Sequence, residues 1–343
     1  MSYRNTNTYR KDKQLLKTMF MENQKAIYNR LIKFLKKHYS EDKIIIHEKY
    51  LCAIGDIPIA LVAHMDTVWE DNIPKFIFFD NEQGVFWGLD GLGADDKAGI
   101  FAIMKIVEAG LRPHIIFTTD EEIGGLGAEV LVENGNPFSE LKFLIELDRR
   151  GSQDCVFYDC ETKDFMKYIE TFGFKTAHGS FSDISILCGA WQICGVNLSV
   201  GYLNEHTHKE ILVMPCLYET INKVKQILSQ EFYPTFKWEG ATYLTQTEYY
   251  KMYGSSFETG PLVTCQKCFY PVPINEALRV KSKRFSNGHC YYCYACLADA
   301  EINFCKYCNE PFEEQGGTLI GSVCPECQIK EGKIDYNAIR ANN

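Results

Sequence analysis

The chain has 343 residues, with 36 Lys+Arg against 45 Asp+Glu and a formal net charge of −9. That length suggests about two domains, and a composition of 46% hydrophobic and 24% charged residues excludes wholesale disorder. The acidic balance argues against a chain whose main task is gripping phosphate backbones, and no run approaches the ~20 apolar residues of a membrane span.

In chain order, 1–17 is polar and lacks the apolar core of a secretory signal, so a cytoplasmic protein is expected. Residues 13–37 carry Leu15, Met19, Ile27, Leu31 and Leu35 at helical spacing, which predicts one amphipathic helix or two broken near 22–25. Apolar runs at 57–63, 115–118, 143–147 and 193–200 read as buried strands. Helical patterns at 97–109, 127–134 and 215–230 alternate with them. This predicts an α/β fold: a mostly parallel central sheet with helices on both faces. In such sheets, sites gather beyond the carboxyl ends of the strands.

The strand ends carry the chemistry. After 57–63 comes His64-Met65-Asp66-Thr67-Val68, where Asp66 can hold one ring nitrogen of His64 and leave the other for a metal. Gly93-Ala94-Asp95-Asp96-Lys97-Ala98-Gly99 enters a helix, so its acids suit either a helix cap or a bridging oxygen ligand. Thr119-Asp120-Glu121-Glu122-Ile123-Gly124 puts three acids in a row after the next strand. They form either a solvated loop or a metal ligand beside a proton-transfer group. Asp148 follows 143–147, and His206-Thr207-His208-Lys209-Glu210 follows 193–200. Together these residues supply donors for two divalent ions sharing a carboxylate, with Zn favoured and Mn or Co as substitutes.

These motifs resemble the peptidase T branch of the co-catalytic zinc exopeptidases, a superfamily that also includes carboxypeptidase G, small-molecule deacylases and zinc aminopeptidases. The resemblance covers about the first 230 residues. It implies one metal held by His64, Asp95 and Asp148, and a second held by Asp95, Glu122 and His206. It also implies that Glu121 acts as general base toward a metal-bridging water, that Asp66 orients His64, and that the Asp95–Asp96 peptide is cis. His206 is preferred to His208 because His206-x-x-x-Glu210 matches the family spacing. The implied activity is cleavage of an amide bond in a small peptide, by an aminopeptidase or a di- or tripeptidase. Alternatives are an N-acyl amino acid deacylase, or a non-catalytic binding protein with an inactive hydrolase domain. Peptidase T and the deacylases insert a lid domain between the last acidic ligand and the last His, but here Asp148 and His206 are only 58 positions apart. The lid is expected to be absent, leaving His178, Ser182 and Asp183 either as replacement substrate contacts or as a polar loop.

Nine of the 15 cysteines fall in 265–327, and clustered Cys-x-x-Cys pairs in a cytoplasmic chain point to metal rather than disulfides. Cys305-x-x-Cys308 and Cys324-x-x-Cys327 have zinc-ribbon spacing. Cys265-x-x-Cys268 with Cys290-x-x-Cys293-x-x-Cys296 offers a second site with one thiol to spare. About two structural zincs are expected, paired sequentially or cross-braced. The other six cysteines read as buried residues. The organisation is thus a catalytic domain 1–245, a linker 246–261 within an aromatic and polar stretch, a tandem zinc-ribbon-like domain 262–330 and a tail 331–343. The tail beyond 261 carries equal numbers of acids and bases, which favours a protein partner over nucleic acid.

Overall fold

A computed structural model describes residues 7–179, 181–239, 262–265, 271–274, 277–281, 289–293, 302–304 and 311–313. The chain divides into two units, Met1–Tyr250 and Lys251–Asn343.

The first unit opens with two helices, α1 (Asn7–Phe20) and α2 (Gln24–His38). The break falls where Asn23 caps α2, its side chain accepting from the Ala26 amide at 2.9 Å. Strands β1 (Ile44–His47), β2 (Tyr50–Ala53) and β3 (Ile57–His64) follow, then the short β4 (Ile77–Asp80) and β5 (Val85–Gly88). Next come α3 (Ala94–Glu108), β6 (Pro113–Thr118), α4 (Leu126–Glu133), β7 (Phe143–Arg149), β8 (Asp154–Val156), α5 (Lys163–Glu170), β9 (Lys175–Thr176) and α6 (Asp183–Trp191). The unit ends with β10 (Gly195–Ser199), β11 (Tyr202–Leu203), β12 (Ile211–Val213) and α7 (Met214–Leu228).

Eight strands form the main sheet in the order β1-β2-β6-β3-β7-β10-β8-β9. Its centre, β6-β3-β7-β10, is parallel throughout. These strands read as unbroken apolar runs because both faces are covered. Along β3, Leu61 and Ala63 join the core that contains α1, α2, α3, α5 and α7 residues, while Ala60 and Val62 face Ala128 of α4 and Ile184 of α6. The expected mostly parallel sheet with helices on both faces is thus the fold of this unit. Asp148 lies inside β7 rather than after it, and α3 starts three residues earlier than helical periodicity suggests, with non-helical backbone at Asp95 and Asp96. From β8 to β10 the chain runs through β8, α5, β9, α6 and β10, whose strands belong to the main sheet, and then enters β11. No lid domain occurs among the described residues.

A second sheet, in the order β11-β12-β5-β4, is antiparallel throughout. It ties β5, which precedes the start of α3 and Asp95, to β12, which follows the β11–β12 loop that carries His206.

Helix α3 meets β7 at Gly99, where an added Cβ would lie 1.8 Å from the Leu147 carbonyl oxygen and 2.5 Å from Asp96 Oδ1. The first is backbone, and the second is a carboxylate held by the His64 and Gly99 amides. Gly99→Ala should therefore destabilise the unit by about 3 kcal/mol, the upper part of the overpacking range. A denaturant melt indistinguishable from wild type would contradict that close packing.

Five of the six cysteines outside the tail are buried, while Cys216 is half-buried. No helix among the described residues is long and apolar enough to cross a membrane. In the second unit the described strands form three antiparallel pairs: β13 (Leu262–Thr264) with β14 (Pro271–Pro273), β15 (Ala277–Lys281) with β16 (His289–Cys293), and β17 (Ile302–Phe304) with β18 (Pro311–Glu313). An isolated bridge joins Cys265 to Tyr291. Cys265 is buried, and Cys290 and Cys293 lie in β16. Cys268, Cys296, Cys305, Cys308, Cys324 and Cys327 lie outside the described residues, as do 331–343 and the linker 246–261.

Candidate metal centre

The carboxyl ends of β3, β6 and β7, the start of α3 and the loop after β11 converge on one cluster. His64, the last residue of β3, is buried and pairs through Nδ1 with Asp66 Oδ1 at 3.2 Å. Its Nε2 lies 3.2 Å from Asp95 Oδ1, 3.5 Å from Asp148 Oδ1 and 4.0 Å from Glu121 Oε2. The other oxygen of Asp95, Oδ2, lies 3.1 Å from His206 Nε2, which is also 2.9 Å from Glu122 Oε2. One carboxylate therefore faces two imidazoles, one through each oxygen. The Asp95–Asp96 peptide is cis.

The three consecutive acids after β6 divide by partner. Asp120 pairs with Lys49 at 2.7 Å, so it is neutralised away from the cluster. Glu121 and Glu122 reach the centre because Asp66 accepts their backbone amides at 3.1 and 3.0 Å. Asp66 thus orients His64 and also fixes the turn that carries both glutamates. His208 is turned aside, its ring 5.1 Å from that of Trp69. His206 holds a left-handed φ of 60°, a conformation uncommon for a residue with a side chain.

The supports of Asp148 come from positions that sequence reasoning passed over. Its amide donates to Asn197 Oδ1 at 2.9 Å, Asn197 Nδ2 returns a bond to its carbonyl at 3.1 Å, and the Tyr202 hydroxyl donates to Asp148 Oδ1 at 3.0 Å. A buried amide in the apolar run 193–200 was the available signal. Asp96 was also missed: its Oδ2 accepts from the His64 amide at 3.3 Å and its Oδ1 from Gly99 at 3.0 Å, so it braces the cluster from beneath. Ser182 and Asp183 do not face substrate space. Both are fully buried, Ser182 donating to Glu146 and Asp183 accepting from Thr118. His178 is exposed, and its carbonyl accepts from Arg149.

The electrostatics show what this arrangement lacks. Burial opposes a charged imidazole at His64, but Asp148, Asp66 and Asp95 outweigh it and raise its pKa well above the usual value. Burial, followed by repulsion from Asp148, Asp183 and Glu122, pushes the Glu121 carboxyl well up despite the attraction of His64. Burial and Asp95 raise Glu122, and the same two causes bring Asp148 up to about 7. No Lys or Arg ion pair reaches Asp95, Glu121, Glu122 or Asp148 among the described residues. Lys97, beside Asp96, instead spends its ammonium on the Glu22 carbonyl at 2.7 Å. Buried carboxylates in this number need positive charge. Two sets of three donors, His64/Asp95/Glu122 and His64/Asp96/Asp148, have ligand atoms within 4.8 Å of one another. Imidazole nitrogen with carboxylate oxygen is a donor set suited to zinc and similar divalent ions. The residues fit a metal centre.

The sequence model of peptidase family M20/M25/M40 matches residues 60–260. The chain belongs to this family. It is accordingly a metallopeptidase, and His64, Asp66, Asp95, Asp96, Glu121, Glu122, Asp148 and His206 all lie within the matched stretch. No curated protein matches the chain. Among solved structures, a tripeptidase from Staphylococcus aureus is similar at 15% identity, over 64% of this chain and 97% of its own, with a TM-score of 0.50. The aminopeptidase PepT of Bacillus cereus has 15% identity over 64% of this chain and 97% of its own, with a TM-score of 0.49. An aminopeptidase from the archaeon Desulfurococcus kamchatkensis has 12% identity over 72% and 98%, again with a TM-score of 0.49. At 15% identity the likeness to the tripeptidase is one of fold.

Proposed function

We propose that this M20-family chain cleaves the amide bond of a small peptide, as an aminopeptidase or a di- or tripeptidase, using two divalent cations. The observation that carries this reading is Asp95 facing His64 through one oxygen and His206 through the other, with Glu121 beside them. His64, Asp95 and Asp148 would hold one cation, and Asp95, Glu122 and His206 the other, with zinc the best match to the donors. When bound, the cations polarise the scissile carbonyl and make the attacking water more acidic.

The chain's own residues do the rest. Glu121 Oε2 accepts a proton from the water as it attacks the carbonyl carbon and returns it to the leaving nitrogen as the C–N bond breaks. Asp66 keeps the His64 Nδ1 proton in place, leaving Nε2 as a donor. His64 is buried whereas His206 is half-exposed, so substrate enters from the His206 side.

A panel of di- and tripeptides, free or blocked at either end, beside N-acyl amino acids tests the substrate class. Release of an amino acid from peptides with a free amino terminus is expected. Cleavage restricted to N-acylated substrates would contradict the peptidase reading and identify a deacylase.

For the second unit we propose about two structural zincs and a docking role toward a protein partner. The Cys265–Tyr291 bridge supports grouping Cys265 and Cys268 with Cys290, Cys293 and Cys296, because Tyr291 stands between two of those cysteines. Cys305, Cys308, Cys324 and Cys327 would hold the other ion.

A further inference from the structure

Glu210 is nearly fully buried and takes no part in the donor sets above, yet its carboxylate gathers five donors. Oε2 accepts from Trp69 Nε1 at 3.3 Å, the Leu92 amide at 3.3 Å and the Gly93 amide at 2.7 Å. Oε1 accepts from the amides of Ala94 at 2.8 Å and Asp95 at 3.0 Å. Four consecutive backbone amides thus point at one anion, an arrangement of the kind that usually cradles a phosphate or another bound anion. Gly91 and Gly93, at φ 102° and 69°, turn the loop so that these amides face the same way. Here the chain supplies the anion itself.

Its position gives the clasp a purpose. Glu210 follows His206 by four residues, and the last amide it holds belongs to Asp95. On the far side the same two segments are joined by the β5–β12 pairing of Trp87 with Ile211. Between these two ties, the Asp95 loop and the His206 loop cannot separate. Hydrogen bonds to a charged acceptor are roughly twice as strong as neutral ones, so a five-donor clasp is stiff.

We propose that Glu210 is a positioning residue. It fixes the 3.1 Å approach of Asp95 Oδ2 to His206 Nε2 and thereby sets the affinity of the Asp95/Glu122/His206 position without touching the cation. The other position shares Asp95 but is also backed by Asp66, Asn197 and Tyr202, so it depends on Glu210 less. This inference rests on the two-cation reading above.

The test is calorimetric titration of the chelator-treated full chain with Co²⁺, the two positions being assigned with Asp148→Ala and His206→Ala. Glu210→Gln keeps the volume but turns an amide N–H₂ toward backbone donors. It should weaken the His206 position about 10–100-fold, as removal of a supporting partner does, and should add little to His206→Ala. The Asp148 position should change by no more than about twofold, the scatter expected of weakly coupled sites. Thermal melts report whether the variant folds. Should it not, Trp69→Phe removes one donor, leaves the four amides, and should weaken the same position about threefold or more, as loss of one bond to a charged group does. Equal weakening at both positions, or none at either, in the variant that folds would overturn the positioning role. A wild-type chain with no affinity at the Asp148 and His206 positions would overturn the two-cation reading and this inference with it.

Discussion

Glu121→Gln is expected to lower kcat for peptide hydrolysis about 10³-fold, within the range for loss of a general acid–base group, while bound metal and melting temperature stay at wild-type values. The backbone amide of Glu121 is held by Asp66 at 3.1 Å and its side chain is mostly buried, so an isosteric amide occupies the same space. Only the ability to take and return a proton is lost. Steady-state kinetics beside metal analysis of the same preparation checks the result. Full turnover by the variant would remove Glu121 from proton transfer, and lost metal would make it a ligand instead.

Asp95→Ala should have the larger effect. Asp95 is the only carboxylate in contact with both His64 and His206 among the described residues, so its removal takes a donor from both cation positions at once. Turnover is expected to fall by more than about 10⁴-fold, beyond the loss of proton transfer alone. Metal affinity should fall at both positions, unlike that of Glu210→Gln. The variant should still fold, because the cores around β3 and β6 do not include Asp95. Loss of affinity at one position only would show that the bridge is not shared.

Much of this was legible in the sequence because it depends on short-range pattern. A strand buried on both faces is mostly apolar, so β3, β6, β7 and β10 stood out as runs. The acids and histidines at their ends stood out because such residues rarely terminate buried strands without a purpose. The small sheet was not legible. Its strands have two to four residues, too short to display a period, and they pair segments more than a hundred residues apart. The contribution of Glu210 was hidden for the same reason: its partners are Trp69 and the loop of Leu92–Asp95, and only the fold brings them to it. Asp96 and Asp95 are adjacent and chemically identical in the sequence, and only the fold turns one toward both imidazoles and makes the other a brace. Ser182 and Asp183 looked like loop residues able to reach a substrate. Their burial under the sheet end, against Glu146 and Thr118, reflects packing of α6 that no local pattern encodes.

The most direct test of the central claim is the metal content of the wild-type chain against the His64→Ala/His206→Ala double variant, measured alongside dipeptide hydrolysis. Because the comparison is a difference, any zinc held by the tail cysteines cancels. The metal-centre reading predicts that the wild type carries two more divalent ions per chain than the variant, and that chelation abolishes its hydrolysis while zinc restores it. Equal metal content in the two proteins, or hydrolysis that survives in the double variant, would contradict it.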